Sequence, residues 1–383
     1  MVIRKLSTLL VPCALAISAV ILFSDLAQTT SKNADWQHLK DGRDVFLAAC
    51  AACHGMDGAG NKQSSVAFET ELPDFTDCNF TSREPAADWY QIARIGGPVR
   101  GFDPMMPAFG EALTPEQLES SITHIKSFCA DDKWPDGVFN LPKALVTGKA
   151  YPEDEYMFLF SFTPGGLTEF QGKFVTEKRL GARHQLELAA PFVVKQIMRE
   201  GSDESAWGEG VGDIALGYKL NLLASIRSLT IISLSTEVLL PTGDEYDEIG
   251  KGYFRFEPFI TMGQIIPHVG FLQLQAGAEL STRPEKGAHE LFWRGTYGQS
   301  FSKDGYGRTW SPMVEILGAR ELEDDANVEW HVVPEVQVTL NQRQHIMFCM
   351  GAKIPLTDFD SGDIQYMAYL LWDWFDGGFT EGW

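Results

Sequence analysis

The alternation of hydrophobic and polar residues divides the chain near residue 155. From there to the C-terminus apolar side chains recur at every second position, as in EWHVVPEVQVTLN at residues 329–341. Strands have this period because successive side chains point to opposite faces of a sheet. About twelve such segments follow one another, with no helix-period stretch between them, so the pattern predicts an all-β antiparallel domain at 155–383. The segments begin near residues 155, 168, 183, 213, 229, 253, 267, 289, 308, 329, 345 and 363.

Residues 36–131 have the helical period instead, which predicts an all-α domain. The clearest helix lies within LTPEQLESSITHIKSFC, where Thr114 can cap the N-terminus, Pro115 suits the first helical position and Gln117 completes a capping box. Residues 132–154 contain three prolines and show neither period. We interpret this stretch as a linker that packs on its neighbours.

The first 27 residues predict export. Arg4 and Lys5 precede a charge-free, mostly apolar run from Leu9 to Phe23, which is the arrangement of a secretory signal peptide. The run is short for a membrane-spanning helix, which needs about 20 residues. Ala27 is a plausible last residue of the signal peptide (1–27), although Asp25 would be unusual so close to the cut, and an uncleaved anchor stays open. In either case the mature chain leaves the cytoplasm.

Charge and cysteine content limit the partners and the compartment. The formal net charge of −21 repels nucleic acid, so we expect no nucleic-acid partner. In an oxidising compartment Cys78 and Cys129 can form a disulfide. The alternative is two separate buried thiols.

Cys50, Cys53 and His54 stand in the stretch ACAACHG. C-x-x-C-H is the attachment signature of c-type haem, because two thiols on one helical turn can bond the porphyrin and the next residue can ligate the iron. A zinc knuckle would need two more ligands at similar spacing, and a thioredoxin-like redox pair would need a βαβ context. We therefore expect one covalently attached haem c, and we find no residues placed for acid–base or nucleophilic catalysis.

Two motifs in the helical domain resemble a small class I c-type cytochrome. GRDVFLAACAACHGMDGAG resembles the haem-binding helix of that family, and MPAFGEALTPEQLESSITHIKSF resembles its methionine loop and last helix. The resemblance spans residues 41–129 and implies His54 and Met106 as the two iron ligands. Met105 is an adjacent substitute, and a core methionine with His124 or water on the iron is the remaining alternative. With both axial positions filled, an electron carrier is expected rather than an oxygen-activating enzyme.

Arg100 is a weaker candidate in the same domain. It lies where such a cytochrome lines its haem edge, and it could pair with a propionate. The alternative is an exposed surface arginine.

The strand pattern fits a membrane barrel or a soluble sandwich, since a sandwich also has one face in water and one in a core. Segments of about ten residues or more, short turns such as NQRQ on one side and long polar loops such as PTGDEYDEIGKG on the other are typical of outer-membrane barrels. Trp372 and Trp374 near the end of the last strand fit an interfacial aromatic girdle. We therefore expect an up-and-down barrel of about 12 strands. Its lumen face would carry Lys173, Arg183, Glu187, Arg255, Glu257, His331 and Glu335.

The order of a cytochrome domain followed by a barrel is similar to that of the cytochrome–porin fusions of iron-oxidising bacteria. The similarity is limited to this layout, so it does not imply iron as a substrate. A lumen of 12 strands is too narrow for a cytochrome domain, which places the haem at the periplasmic mouth. We expect a monohaem electron-transfer protein anchored in outer-membrane lipid, with periplasmic redox proteins or a small redox substrate as partners. The alternatives are an outer-membrane channel with a redox-sensing or docking cytochrome module, and a soluble periplasmic cytochrome with a β-sandwich binding domain.

Overall fold

The computed structural model of the chain describes residues 38–66, 72–165, 167–198, 205–357 and 364–383. The predicted signal peptide lies outside the described residues. Within these ranges a helical region precedes a single sheet, in the order that the hydrophobic pattern predicts. None of the helices in these ranges is long and apolar enough to span a membrane.

Five α-helices build the described N-terminal region: α1 (Gly42–Ala49), α2 (Ala51–His54), α3 (Cys78–Thr81), α4 (Ala86–Ile95) and α5 (Pro115–Lys126). The predicted capping box opens α5, because Thr114 accepts from the Gln117 N–H and the Gln117 side chain accepts from the Thr114 N–H. Helix α1 packs against α5. The fully buried Phe46 of α1 lies in one apolar cluster with Ile122 and Ile125 of α5, and this contact forms the core of the helical region.

A disulfide joins Cys78, the first residue of α3, to Cys129, which follows α5. Their Cα atoms are 5.0 Å apart. Of the two arrangements that the sequence leaves open, the structure has the disulfide. Cys50, Cys53 and Cys349 are free thiols.

Fourteen strands follow in the described ranges: β1 (Glu155–Thr163), β2 (Glu169–Leu180), β3 (His184–Met198), β4 (Ser205–Val211), β5 (Ile214–Ser225), β6 (Thr230–Leu240), β7 (Arg255–Ile266), β8 (Gly270–Ser281), β9 (Glu290–Gly298), β10 (Phe301–Ser302), β11 (Thr309–Glu321), β12 (Glu329–Thr339), β13 (Ile346–Pro355) and β14 (Gln365–Asp373). Every pairing between them is antiparallel. Strand β4 pairs with the second half of β3, and the short β10 pairs with the start of β11.

The remaining twelve strands close into a barrel. Each pairs with the next along the chain, β9 pairs with β11, and β14 returns to pair with β1. A closed ring of this kind has no free edge and is the predicted up-and-down barrel of about 12 strands. A sandwich of two separate sheets is therefore wrong for this domain.

The two faces of the barrel differ in chemistry. In β1 the alternation is clear, since Met157 and Leu159 are buried inside while Phe158 is 47% exposed on the outer face. Other strands repeat the pattern and expose large apolar side chains in a band, which includes Phe160, Phe170, Leu188, Leu216, Leu234, Ile260, Leu274, Leu291, Ile316 and Met350. Soluble proteins rarely expose so large a contiguous apolar surface. The band is typical of strands that cross a lipid bilayer.

Residues 137–151, which belong to the predicted linker, pass through the inside of the barrel, and we call them the plug. The plug has no regular secondary structure beyond one short 3₁₀ turn, Gly137–Phe139. Its Leu141 and Leu145 are buried in the main apolar cluster of the barrel, together with Met157 and Tyr369. The predicted linker therefore does pack on its neighbours, and the surface on which it packs is the inside of the barrel.

Side chains of the strands bind the backbone of the plug. Glu335 accepts from the N–H of Leu145 at 2.9 Å, and Glu315 accepts from the N–H groups of Val146 and Thr147 at 3.0 and 2.6 Å. Five carbonyl oxygens of the plug also accept from strand side chains, in the pairs Gln273 to Pro142, Tyr369 to Lys143, Arg294 to Val146, Ser233 to Ala150 and Lys219 to Tyr151. Buried irregular backbone needs such partners, so the plug is held from several sides of the barrel.

Beyond the plug the lumen contains a cavity of about 450 Å³, the lumen cavity. Its wall includes Lys173, Glu187, Arg255 and Glu257, as the strand period predicts. Two further predicted positions, His331 and Glu335, share the inner face of β12 with the buried Val333.

The prediction for Arg183 is wrong. This arginine is exposed in the turn between β2 and β3. The strand has already ended at Leu180, because Gly181 adopts a φ of 63° that starts the turn.

We expect Glu315→Ala to weaken the plug. The change leaves the buried N–H groups of Val146 and Thr147 without their acceptor, which costs on the order of 2–4 kcal/mol in the free energy of unfolding. Urea unfolding of the full chain in detergent micelles measures the loss. Glu257→Ala is the matched control, since it removes a lumen carboxylate that does not bind the plug. Equal stability of the two variants would contradict the role of Glu315.

Candidate haem site

The C-x-x-C-H residues lie at the junction of α1 and α2. Cys50 ends α1, and Cys53 and His54 form the last turn of α2. Gly55 then stops the helix with a φ of 75°, a conformation that glycine adopts without strain. Both thiols and the imidazole therefore line one cavity, which we call the haem cavity.

The imidazole of His54 is half-buried and stacks on Phe75, with ring centroids 4.8 Å apart. Its Nδ1 has no hydrogen-bond partner among the described residues. Burial lowers the pKa of His54 to about 4, so the ring is neutral at physiological pH. A neutral imidazole keeps the lone pair that a metal requires.

The thiol of Cys50 is also protected from ionisation. Burial, and to a lesser extent the neighbouring Cys53, raises the pKa of Cys50 to about 11. Because the thiolate is the reactive form towards oxidants and disulfides, the raised pKa lowers the reactivity of Cys50.

The methionine loop places Met106, and not Met105, on the haem cavity. Met106 lines the cavity wall, whereas Met105 is 54% exposed and outside it. The Gly97 N–H donates to the Met106 carbonyl at 3.0 Å. A side chain at Gly97 would lie 2.5 Å from the carbonyl oxygen of Asp103, so the loop can close this tightly only because glycine stands there.

The second alternative ligand, His124, lies elsewhere. Its ring packs against Phe46 and Phe128, with centroids 5.5 and 5.0 Å away, and it does not line the haem cavity. Of the candidate ligands, the structure therefore brings Met106 together with Cys50, Cys53 and His54.

The haem cavity has a volume of about 1,070 Å³, at the upper end of the usual range for cofactor pockets, roughly 300–1,000 Å³. Its wall in the helical region is largely apolar and includes Phe75, Trp89, Ile92, Phe109, Leu113 and Ile122. Two free thiols, a neutral imidazole with an unpartnered nitrogen and a thioether in an apolar cavity form a donor set that fits c-type haem.

Comparison with known families agrees with this donor set. Residues 37–125 match the family model described as cytochrome c oxidase, cbb3-type, subunit III. The helical region is a c-type cytochrome domain. The match covers the domain alone, and the oxidase complex of that description is not carried over to this chain.

Solved structures of outer-membrane channels and porins are similar to a little over half of this chain. An outer membrane channel from Pseudomonas putida F1 is 13% identical, with 58% of this chain and 96% of that chain covered and a TM-score of 0.41. The NanC porin is 6% identical (57% and 98% covered, TM-score 0.40), and the KdgM porin is 8% identical (57% and 98% covered, TM-score 0.38). A search of curated protein sequences gives no match. The strand pairing of this chain, and not its likeness to these structures, shows that the domain is a closed barrel.

Arg100 connects the cytochrome domain to the barrel. Its guanidinium is buried, donates to Asp88 at 2.6 Å within the domain, and donates to the carbonyl of Tyr306 at 2.7 Å in the connection between β9 and β11. In return, Arg343 of the turn between β12 and β13 donates to the carbonyl of Gly101 at 3.1 Å. An exposed surface position, one of the two alternatives for Arg100, is therefore wrong.

A second junction lies at the start of the barrel. Arg83 of the cytochrome domain forms a buried ion pair with Asp154, next to β1, and its guanidinium lies 3.7 Å from the ring centre of Phe375. Asp154 also accepts from the backbone N–H of Arg179 at 3.0 Å. Sequence reasoning missed this pair because 71 positions separate Arg83 from Asp154 and no periodicity connects them.

The haem cavity continues from the cytochrome domain to the mouth of the barrel. Its far wall is formed by plug and strand residues, which include Leu141, Pro142, Lys143, Gln337, Thr339 and Leu371. The cytochrome domain therefore does not enclose its cavity alone.

We expect Met106→Ala to open one axial position of the iron. The reduction potential should fall, because a methionine ligand raises it, and the ferrous protein should bind carbon monoxide. Potentiometric titration and carbon monoxide difference spectra measure the two effects. Met105→Ala is the matched control and should behave like the wild type. An unchanged potential in Met106→Ala would show that Met106 is not a ligand.

The ion pair between Arg83 and Asp154 leads to a separate prediction. Removing one partner of a buried ion pair costs about 3–5 kcal/mol, so Arg83→Ala should loosen the cytochrome domain and expose the segment around residue 132 to protease. Lys178→Ala is the control, since Lys178 pairs with the same Asp154 at 3.0 Å but is 54% exposed and should contribute less than about 1 kcal/mol. Equal protease resistance in the two variants would argue against the junction.

Proposed function

We propose that the chain is a monohaem electron-transfer protein of the bacterial outer membrane. One haem c would be bonded covalently to Cys50 and Cys53, with His54 and Met106 as axial ligands. The observation that supports this most directly is the meeting of these four side chains in one cavity, while Met105 and His124 lie outside it. Two filled axial positions leave no site for oxygen, which supports an electron carrier rather than an enzyme.

The bound haem would supply one-electron redox chemistry. The chain's own residues would set the conditions for it. His54 is neutral before the iron arrives, because burial lowers its pKa to about 4. Apolar side chains such as Phe75 and Trp89 would pack against the haem, and the plug stands between this cavity and the lumen cavity.

The cytochrome domain would face the periplasm. In outer-membrane barrels the short turns are periplasmic, and here the short turns include 181–183, 226–229, 267–269 and 340–345. The contacts of Arg100 and Arg343 attach the domain to this end of the barrel. The proposed partners are accordingly periplasmic redox proteins, or a small redox substrate that reaches the haem edge.

The plug argues against the channel alternative. Lys143 and Lys149 of the plug line both the haem cavity and the lumen cavity, so the plug stands between the two spaces. A channel would require the plug to leave the lumen, and the hydrogen bonds to Glu315 and Glu335 oppose this.

Membrane fractionation with haem analysis tests the proposal. The haem-stained band should stay in the outer-membrane fraction after a high-salt wash, with one haem per chain by haemochrome absorbance and a reversible one-electron titration. In planar bilayers the protein should conduct poorly in both haem redox states. Conductance that depends on the redox state would favour the channel alternative, and a soluble or haem-free protein would overturn the proposal.

A further inference from the structure

Three buried carboxylates meet where the plug joins the barrel wall. Glu153 follows the plug, Glu155 begins β1, and Glu177 belongs to β2. One oxygen of each lies within 4.8 Å of the other two, and each residue is at most 3% exposed. Glu153 lines the haem cavity and Glu177 lines the lumen cavity, so this carboxylate triad stands in the wall between the two spaces.

The described residues satisfy only part of the triad. Glu153 Oε1 accepts from Lys149 at 2.5 Å, and Glu177 Oε2 accepts from the Gln185 amide at 2.6 Å. Glu153 Oε2 and Glu155 Oε1 are buried and have no hydrogen-bond partner in the described ranges. Leaving a buried carboxylate oxygen unpaired is costly, so these two oxygens point to a further ligand.

Nearby ammonium groups do not neutralise all of the carboxylates. Lys149 pairs with Glu153, and Lys219 lies 3.9 Å from Glu177. Lys143 is the third ammonium group in this part of the lumen, and Glu187, which lies opposite Glu177, is a fourth carboxyl group. Carboxyl groups therefore outnumber ammonium groups here.

The triad is also the inner end of a series of cross-strand glutamates. Glu177 lies opposite Glu187, Glu237 opposite Glu257, and Glu279 opposite Glu290, and Gly217 stands between Glu187 and Glu237. Glu290 in turn lies opposite the exposed Glu321 at the far rim. Directly opposed like charges destabilise a sheet. Farther along this series Arg255 pairs with Glu279 at 3.0 Å, whereas the triad keeps oxygens without a partner among the described residues.

We propose that Glu153, Glu155 and Glu177 bind one hard divalent cation of the Ca²⁺ or Mn²⁺ kind. Two oxygens that bind the same Ca²⁺ at about 2.3–2.6 Å lie at most about 5 Å apart, which the triad satisfies. An all-oxygen ligand set selects Ca²⁺, Mg²⁺ or Mn²⁺ over softer metals. The bound cation would pair the free oxygens of Glu153 and Glu155 and fix the end of the plug to β1 and β2. This site does not depend on the proposed function of the haem.

Manganese binding to the full chain in detergent micelles tests the site. After treatment with EDTA and desalting, the wild type should take up one tightly held Mn²⁺ per chain, read as loss of the free-ion signal in electron paramagnetic resonance. Ca²⁺ should displace it. Absence of saturable uptake by the wild type would overturn the proposal without recourse to any variant.

Glu155→Gln is the decisive variant, because glutamine has nearly the same shape as glutamate. In addition, Glu155 pairs with neither Lys149 nor Lys219 in the ion pairs described. It should weaken Mn²⁺ binding at least tenfold. Glu257→Gln is the matched control, since it also removes one lumen carboxylate flanked by others but lies outside the triad, and its affinity should stay within about twofold of the wild type. Equal losses in both variants would show general charge attraction by the lumen and no defined site.

Discussion

The hydrogen bonds from the plug backbone to Glu315 and Glu335 are the interaction on which the rest of the structure depends. The N–H and C=O groups of an irregular segment buried inside a barrel need hydrogen-bond partners, and strand side chains supply them here. Glu315 serves two consecutive N–H groups and Glu335 a third. The plug leads directly into β1 at one end and into the cytochrome domain at the other, so fixing it also fixes where the cytochrome domain stands.

The position of the cytochrome domain in turn completes the haem cavity. Part of its wall comes from the plug and from strands β12 and β14. Arg100 and Arg343 reach across the junction in opposite directions, and each binds a backbone carbonyl of the other partner. The electrostatic environment of the haem is therefore shared between the two domains, and an isolated cytochrome domain would have one side of the cavity open.

Much of this architecture can be predicted from the sequence, because it depends on local periodicity. Segments predicted to begin near residues 155, 213 and 329 begin at Glu155, Ile214 and Glu329. The spacing of Cys50, Cys53 and His54, and the family resemblance that indicates Met106, name four residues that meet in the haem cavity, although Met105 and His124 stayed open as alternatives. Periodicity fails at the ends of strands, as Arg183 shows, because one glycine turn can remove a residue from the lumen.

The plug and the junction could not be predicted in the same way. Leu145 and Glu335 are 190 positions apart, and residues 137–151 have no repeating pattern that indicates a surface to pack against. The sequence suggested a haem propionate or solvent as the surroundings of Arg100. It gave no sign that Arg100 binds a carbonyl group in a connection of the barrel. Contacts of this kind depend on the closed barrel, which brings distant strands to one lumen.

The length of the strands limits how the proposed electron carrier can work. A strand of 12 residues such as β5 is about 40 Å long at roughly 3.3 Å per residue, and a tilt of 35–45° leaves about 30 Å of barrel height, the thickness of the hydrocarbon core. With the haem at one end, a protein partner on the other side of the membrane cannot touch it. Electrons would therefore be exchanged with proteins on the periplasmic side, or with a small redox species that enters the lumen.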